Sequence, residues 1–125
     1  TKLPRIFTMA AAIDTFEEKR GASFSFVLDW EATTDVPAMD GDETVTCDLK
    51  VAENGAGVPL ATSPVIDSIP ATWDATGPHW YFYLSAAETL ALEPGNYIFD
   101  VKVVFSATLT VITEPIVLEL DQSVT

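Results

Sequence analysis

The chain has 125 residues, 48% hydrophobic and 10% aromatic, which suits one packed core and excludes a disordered acidic tail. Nineteen acids face six bases, for a formal net charge of -13. The bases (Lys2, Arg5, Lys19, Arg20, Lys50 and Lys102) are scattered, so the pattern argues against a nucleic-acid or anionic-membrane partner, both of which want a basic patch.

The opening strand is faint. In "RIFTMAA" (5–11) only Ile6, Phe7 and Met9 suggest it, and "EEKR" (17–20) reads as a solvated turn before Gly21. "SFSFVLDWE" (23–31) alternates cleanly, with Phe24, Phe26, Leu28 and Trp30 on one face and Ser23, Ser25, Asp29 and Glu31 on the other. After a loop at 33–43, "ETVTCDLKV" (43–51) puts Val45, Cys47, Leu49 and Val51 inward. "ENGAG" (53–57) is a turn cluster, and "PATWDATG" (70–77) is loop-like and carries Trp73.

"HWYFYL" (79–84) sets Trp80, Phe82 and Leu84 against His79, Tyr81 and Tyr83. "SAAETLALEPG" (85–95) breaks the alternation. Ser85 and Glu88 make a capping box, Pro94-Gly95 is a stop, and the helix between them must be held by packing through Leu90 and Leu92. "YIFDVKVVF" (97–105) buries Tyr97, Phe99, Val101, Val103 and Phe105, with Asp100 and Lys102 outward. "PIVLELD" (115–121) ends the series, Ile116, Leu118 and Leu120 lying opposite Val117, Glu119 and Asp121.

One buried and one wet face per strand favours antiparallel pairing. The expected fold is an all-β antiparallel β-sandwich of about seven strands, with one short helix near residues 86–92, as a single domain over 1–125. No signal-peptide pattern opens the chain and no apolar run reaches the length of a membrane span, so a soluble protein without an export signal is expected.

Chemistry-bearing residues are few. One histidine, His79, stands on a strand, a position far more often structural than catalytic. The single cysteine, Cys47, excludes an intramolecular disulfide and reads as a small core residue. No serine-hydrolase elbow, zinc-protease helix or phosphate loop occurs. "MDGDE" (39–43) gathers Asp40, Asp42 and Glu43 around Gly41 but lacks the spacing of a calcium loop, so a solvated acidic loop is the simpler reading. No enzyme activity, cofactor, metal or small-molecule substrate is expected. Only one face of the 79–84 strand can be core; the other leaves His79, Tyr81 and Tyr83 as an aromatic stripe, open to a partner or covered by a loop. Trp73 either plugs one end of the core or joins that partner surface.

Three runs carry a resemblance: "KRGASFSFVL" (19–28), "VPAMDGDETVTCDLKVAENG" (36–55) and "YLSAAETLALEPGNYIFDVKVVF" (83–105). Their order resembles the immunoglobulin-like N-terminal domain of phage baseplate upper proteins and related small domains of tailed-phage virion proteins. Leu84, Ser85, Glu88, Thr89, Leu92, Pro94, Gly95, Tyr97 and Asp100 match that family's run, and the likeness spans roughly residues 5 to 121. The family's Gly-containing hairpin after this strand is missing, since "FSATLTVITEP" (105–115) has no Gly.

The resemblance implies an immunoglobulin-like sandwich and a structural subunit of the virion, in the tail, baseplate or head–tail region. Its partners would be other virion structural proteins, with copies of itself a further option, bound through sheet edges and a face carrying Trp73, His79, Tyr81 and Tyr83. Two alternatives stand beside this: a capsid decoration protein on the head, and a carbohydrate-binding module stacking sugars on Trp73, Trp80, Tyr81 and Tyr83. The acidity fits either a salt-screened surface or docking onto a basic partner.

Overall fold

Alternation sets the strands, and pairing sorts them into two layers. The computed structural model describes residues 5–8, 14–29, 32, 34–51, 65–113 and 115–122. Over these the chain runs β1 (Arg5–Thr8), β2 (Asp14–Lys19), β3 (Phe24–Asp29), β4 (Thr44–Val51), β5 (Asp67–Ser68), β6 (Ala71–Asp74) and β7 (His79–Leu84). It continues with α1 (Ala86–Leu90), β8 (Gly95–Phe99), β9 (Val101–Ser106), β10 (Leu109–Ile112) and β11 (Ile116–Asp121). The turn read at 53–57, Met9 of the opening strand reading and the face position given to Trp30 lie outside the described residues.

One sheet has the order β1-β3-β7-β6, and the other links β10, β9, β4, β8, β11 and β2, with β5 on β4. This is the all-β sandwich the alternation predicts. The strand segments outnumber the expected seven partly because long strands are interrupted. β8 and β9 keep one register along β4, with Lys50 opposite Ile98 and Cys47 opposite Val101. On their other edge they pair with β11 and β10 respectively. Counting each interrupted strand once, the layers follow the two-sheet order of an immunoglobulin-type sandwich.

The core lies between the layers. Phe24, Phe26, Leu28, Phe82 and Leu84 from one sheet meet Leu49, Phe99, Val101, Ile116 and Leu118 from the other. Phe26 is the central ring: it stacks on Phe82 with centroids 4.5 Å apart and lies 5.4 Å from Phe99 across the sandwich. Such offset aromatic contacts add to what burial alone contributes.

Two pairings depart from the antiparallel expectation. β1 runs parallel to β3, and β2 runs parallel to β11. The cause of the second is the tight turn after β2: the chain reverses there into β3 of the opposite sheet, which leaves β2 aligned with the direction of β11. Residues 17–19, expected as part of a turn, are therefore strand, and only Arg20–Ala22 turn. The β9–β10 hairpin closes without glycine. Its turn is Ala107–Thr108, where the Thr108 amide donates to Ser106 Oγ at 3.3 Å, and the register shifts between Leu109 and Thr110.

The capping box forms as read: the Glu88 amide donates to Ser85 Oγ at 3.1 Å, and the Ser85 amide donates to Glu88 Oε1 at 3.0 Å. The expected anchors need correcting. Leu92 is buried, but Leu90 is 56% exposed, while Thr89 is completely buried. Thr89 Oγ1 donates to the Ala22 carbonyl at 2.8 Å and accepts from the Gly21 amide at 3.0 Å. Arg20 adds a second tie, donating from Nη2 to the Leu90 carbonyl at 2.7 Å and from Nη1 to Gln122 Oε1 at 2.9 Å. A helix this short has little stability of its own, so these tertiary hydrogen bonds hold it to the β2–β3 turn. Beyond it, Tyr97 Oη donates to the Glu93 carbonyl at 2.6 Å, a hydroxyl reaching back upstream at a sheet-to-sheet corner, as in immunoglobulin-type folds.

Candidate docking face

The outer face of the β1-β3-β7-β6 sheet is built by the pleat. Phe82 pairs across from Phe26 on the core side, so the alternate residues His79, Tyr81 and Tyr83 must point away from the core. Three of the four residues expected at a partner surface thus share one face. The Tyr81 and Tyr83 rings stand nearly parallel, 15° apart in orientation, with centroids 6.3 Å apart. Tyr83 is 43% exposed, the only exposed aromatic side chain among the described residues.

Register brings in residues that the strand alone did not reveal. Tyr81 lies opposite Val27 on β3 and Thr72 on β6, and His79 lies opposite Asp74. His79 Nε2 is 3.5 Å from Asp74 Oδ2. The imidazole also covers the β6–β7 turn: a Cβ placed on Gly77 would sit 1.9 Å from His79 Nδ1, so a larger residue there would push the ring aside. Leu28 faces Trp80, which sets the next residues, Asp29 and His79, side by side on the outer face.

Trp73 does not belong to this face. The segment expected as loop is strand β6, and its register places Trp73 opposite Trp80, on the core side. The two indoles meet at 5.5 Å, and Trp73 lies over Gly41, where an added Cβ would come within 2.7 Å of the ring. Of the two readings of Trp73, core plug is the one realised. The sugar platform of Trp73, Trp80, Tyr81 and Tyr83 therefore does not assemble, because the two tryptophans and the two tyrosines lie on opposite sides of the sheet.

The acidic loop at 39–43 is organised from within. Glu43 is buried and accepts from Trp80 Nε1 at 3.0 Å, from the Asp40 amide at 3.1 Å and from the Gly41 amide at 3.4 Å. Asp40 Oδ1 accepts from the Asp42 amide at 2.9 Å. The Asp40 carboxyl is held below its ordinary range, first by its hydrogen bond with the Glu43 side chain and then by the Asp42 amide. These carboxylates fold the loop onto the tryptophans, and no cluster of three or more metal-ligating side chains occurs among the described residues.

Cys47 faces the core, and burial pushes its thiol well above the ordinary range, with Asp100 and Asp48 adding to the effect. A thiol so held is a poor nucleophile. Among the described residues no helix is long and apolar enough to cross a membrane. No protein-family model matches the chain, and no curated protein matches it.

Proposed function

We propose that the chain is a structural virion subunit of a tailed phage, docking to neighbouring tail, baseplate or head–tail proteins through the outer face of the β1-β3-β7-β6 sheet and through its sheet edges. The observation that carries docking is the Tyr81–Tyr83 pair, parallel rings of which Tyr83 is exposed, on a sheet where Phe24, Phe26, Trp80 and Phe82 belong to the core. Aromatic side chains left on a flat sheet face are the anchors that protein interfaces favour. The titratable side chains support a binding role over catalysis: Cys47 is buried as a thiol, Glu43 holds three N–H donors, and His79 packs on its own hairpin.

The phage setting rests on the sequence resemblance. Its most specific run folds into the capped helix, the Pro94-Gly95 entry to β8 and the Tyr97 corner, an arrangement suited to the domain that the resemblance implies. The test is mass spectrometry of purified virions from the source, with copy number read from a stained gel. A few copies per particle supports the tail or baseplate role, and hundreds would favour capsid decoration instead. Absence from the particles overturns the proposal.

A further inference from the structure

The outer face of β3, β6 and β7 is chemically lopsided. At the hairpin end Asp29 and Asp74 flank His79 on neighbouring strands, and both aspartates are exposed. Beside that row stand Tyr81 and Tyr83, with Val27, itself buried, opposite Tyr81 on β3. No lysine or arginine lies on these three strands. The whole chain leans the same way, with nineteen acids to six bases.

We infer that this face receives an extended segment of a partner protein carrying arginine, its guanidinium held at the Asp29–Asp74 row and its stem lying over the tyrosine rings. The inference rests on the docking role proposed above and names the chemistry of the partner. Charge selects a cation, and the combination of features selects arginine. A planar guanidinium can engage carboxylates through several N–H groups and stack on a tyrosine face, whereas an ammonium is a hydrated point charge that does neither as well. The long aliphatic stem matches the step from a charged row to an aromatic one.

The experiment is an amide-detected NMR titration of the intact chain with an alternating valine–arginine hexapeptide, beside its valine–lysine and valine–glutamate counterparts. The arginine peptide is expected to shift the amides of residues 25–29, 72–74 and 79–83 and to bind more tightly than the lysine peptide. The glutamate peptide should shift none. Replacing both rings (Tyr81→Thr with Tyr83→Thr) keeps the net charge and should weaken binding about tenfold, the effect of returning about two stem methylenes to water. A second variant, Asp29→Asn with Asp74→Asn, keeps the rings and should weaken binding comparably.

Shifts confined to another acidic region such as β2 and β11, no shifts at millimolar peptide, or unchanged affinity in the double-tyrosine variant would each overturn the inference. A chain that is present in virions but fails this mapping loses the arginine assignment alone. A chain that is absent from virions but maps as expected loses the virion role alone.

Discussion

Thr89→Val tests the claim that a hydroxyl, and not a leucine, anchors the helix. Valine matches threonine in shape and nearly in helix propensity, so the change removes one oxygen from a fully buried site. On the β2–β3 turn two main-chain groups lose this partner, the Ala22 carbonyl, now bonded at 2.8 Å, and the Gly21 amide, at 3.0 Å; the third contact of the hydroxyl, 3.1 Å to the Ala86 carbonyl, lies within the helix itself. Each is partly open to water, so each loss costs about 1 kcal/mol, giving a total of about 2 kcal/mol. With a urea dependence of about 1.5 kcal/mol/M for a chain of this size, the unfolding midpoint falls by roughly 1.3 M. Thr89→Ser keeps the oxygen and loses one methyl, costing about 1 kcal/mol. Leu90→Ala, at an exposed position, changes stability by less than about 0.5 kcal/mol. The assay is equilibrium urea unfolding followed by circular dichroism. If Thr89→Val unfolds with the wild-type midpoint, or Leu90→Ala proves the more damaging change, the anchoring argument is wrong.

Gly41→Ala should destabilise by about 2 kcal/mol, because φ there is 93° and the new Cβ would meet the Trp73 ring at 2.7 Å. A change in tryptophan fluorescence in the folded variant checks that the indole has moved. Glu119 lies opposite Glu17 across the parallel β2–β11 pair, and its carboxyl is raised, first by the hydrogen bond with the Glu17 side chain and then by burial. The folded state therefore holds that proton more tightly than the unfolded chain does. Its stabilising contribution is present at low pH and fades as pH rises from the ordinary carboxylate range through the raised value. Glu119→Gln should remove that loss and raise the melting temperature at neutral pH relative to wild type; parallel pH profiles for the two proteins would refute the pairing. Cys47 should stay unreactive to a thiol reagent in native buffer and react fully in denaturant, and native labelling at the rate of an open peptide would contradict its burial.

How much could be read in advance depended on range. The Ser85–Glu88 capping box and the run from Tyr97 to Phe105 were legible because their signals lie within a few neighbouring residues. β2 was not, because "DTFEEK" has one large apolar side chain, and the position after it toward the core is Glu18, which is buried. Thr89 was passed over for the same reason: a threonine in a helix announces no partner until the β2–β3 turn is placed against it. At the candidate face, alternation identified the row of His79, Tyr81 and Tyr83. It could not supply Asp29, Val27 or Asp74, which join that row only through strand register. The direction of Trp73 is open in the sequence because "TWD" is too short to show a period, and its pairing with Trp80 decides which way it points.

The parallel seam between β2 and β11 has a mechanical consequence. It joins Asp14–Lys19 to Ile116–Asp121, strands near the two ends of the described chain, running in the same direction. A pull on the chain ahead of β2 against one on the chain beyond β11 drags these strands lengthwise past each other. The hydrogen bonds of the seam then bear the load together, whereas a hairpin pulled at its open end unzips one rung at a time. Stretched along that line, the domain would yield abruptly and at high force.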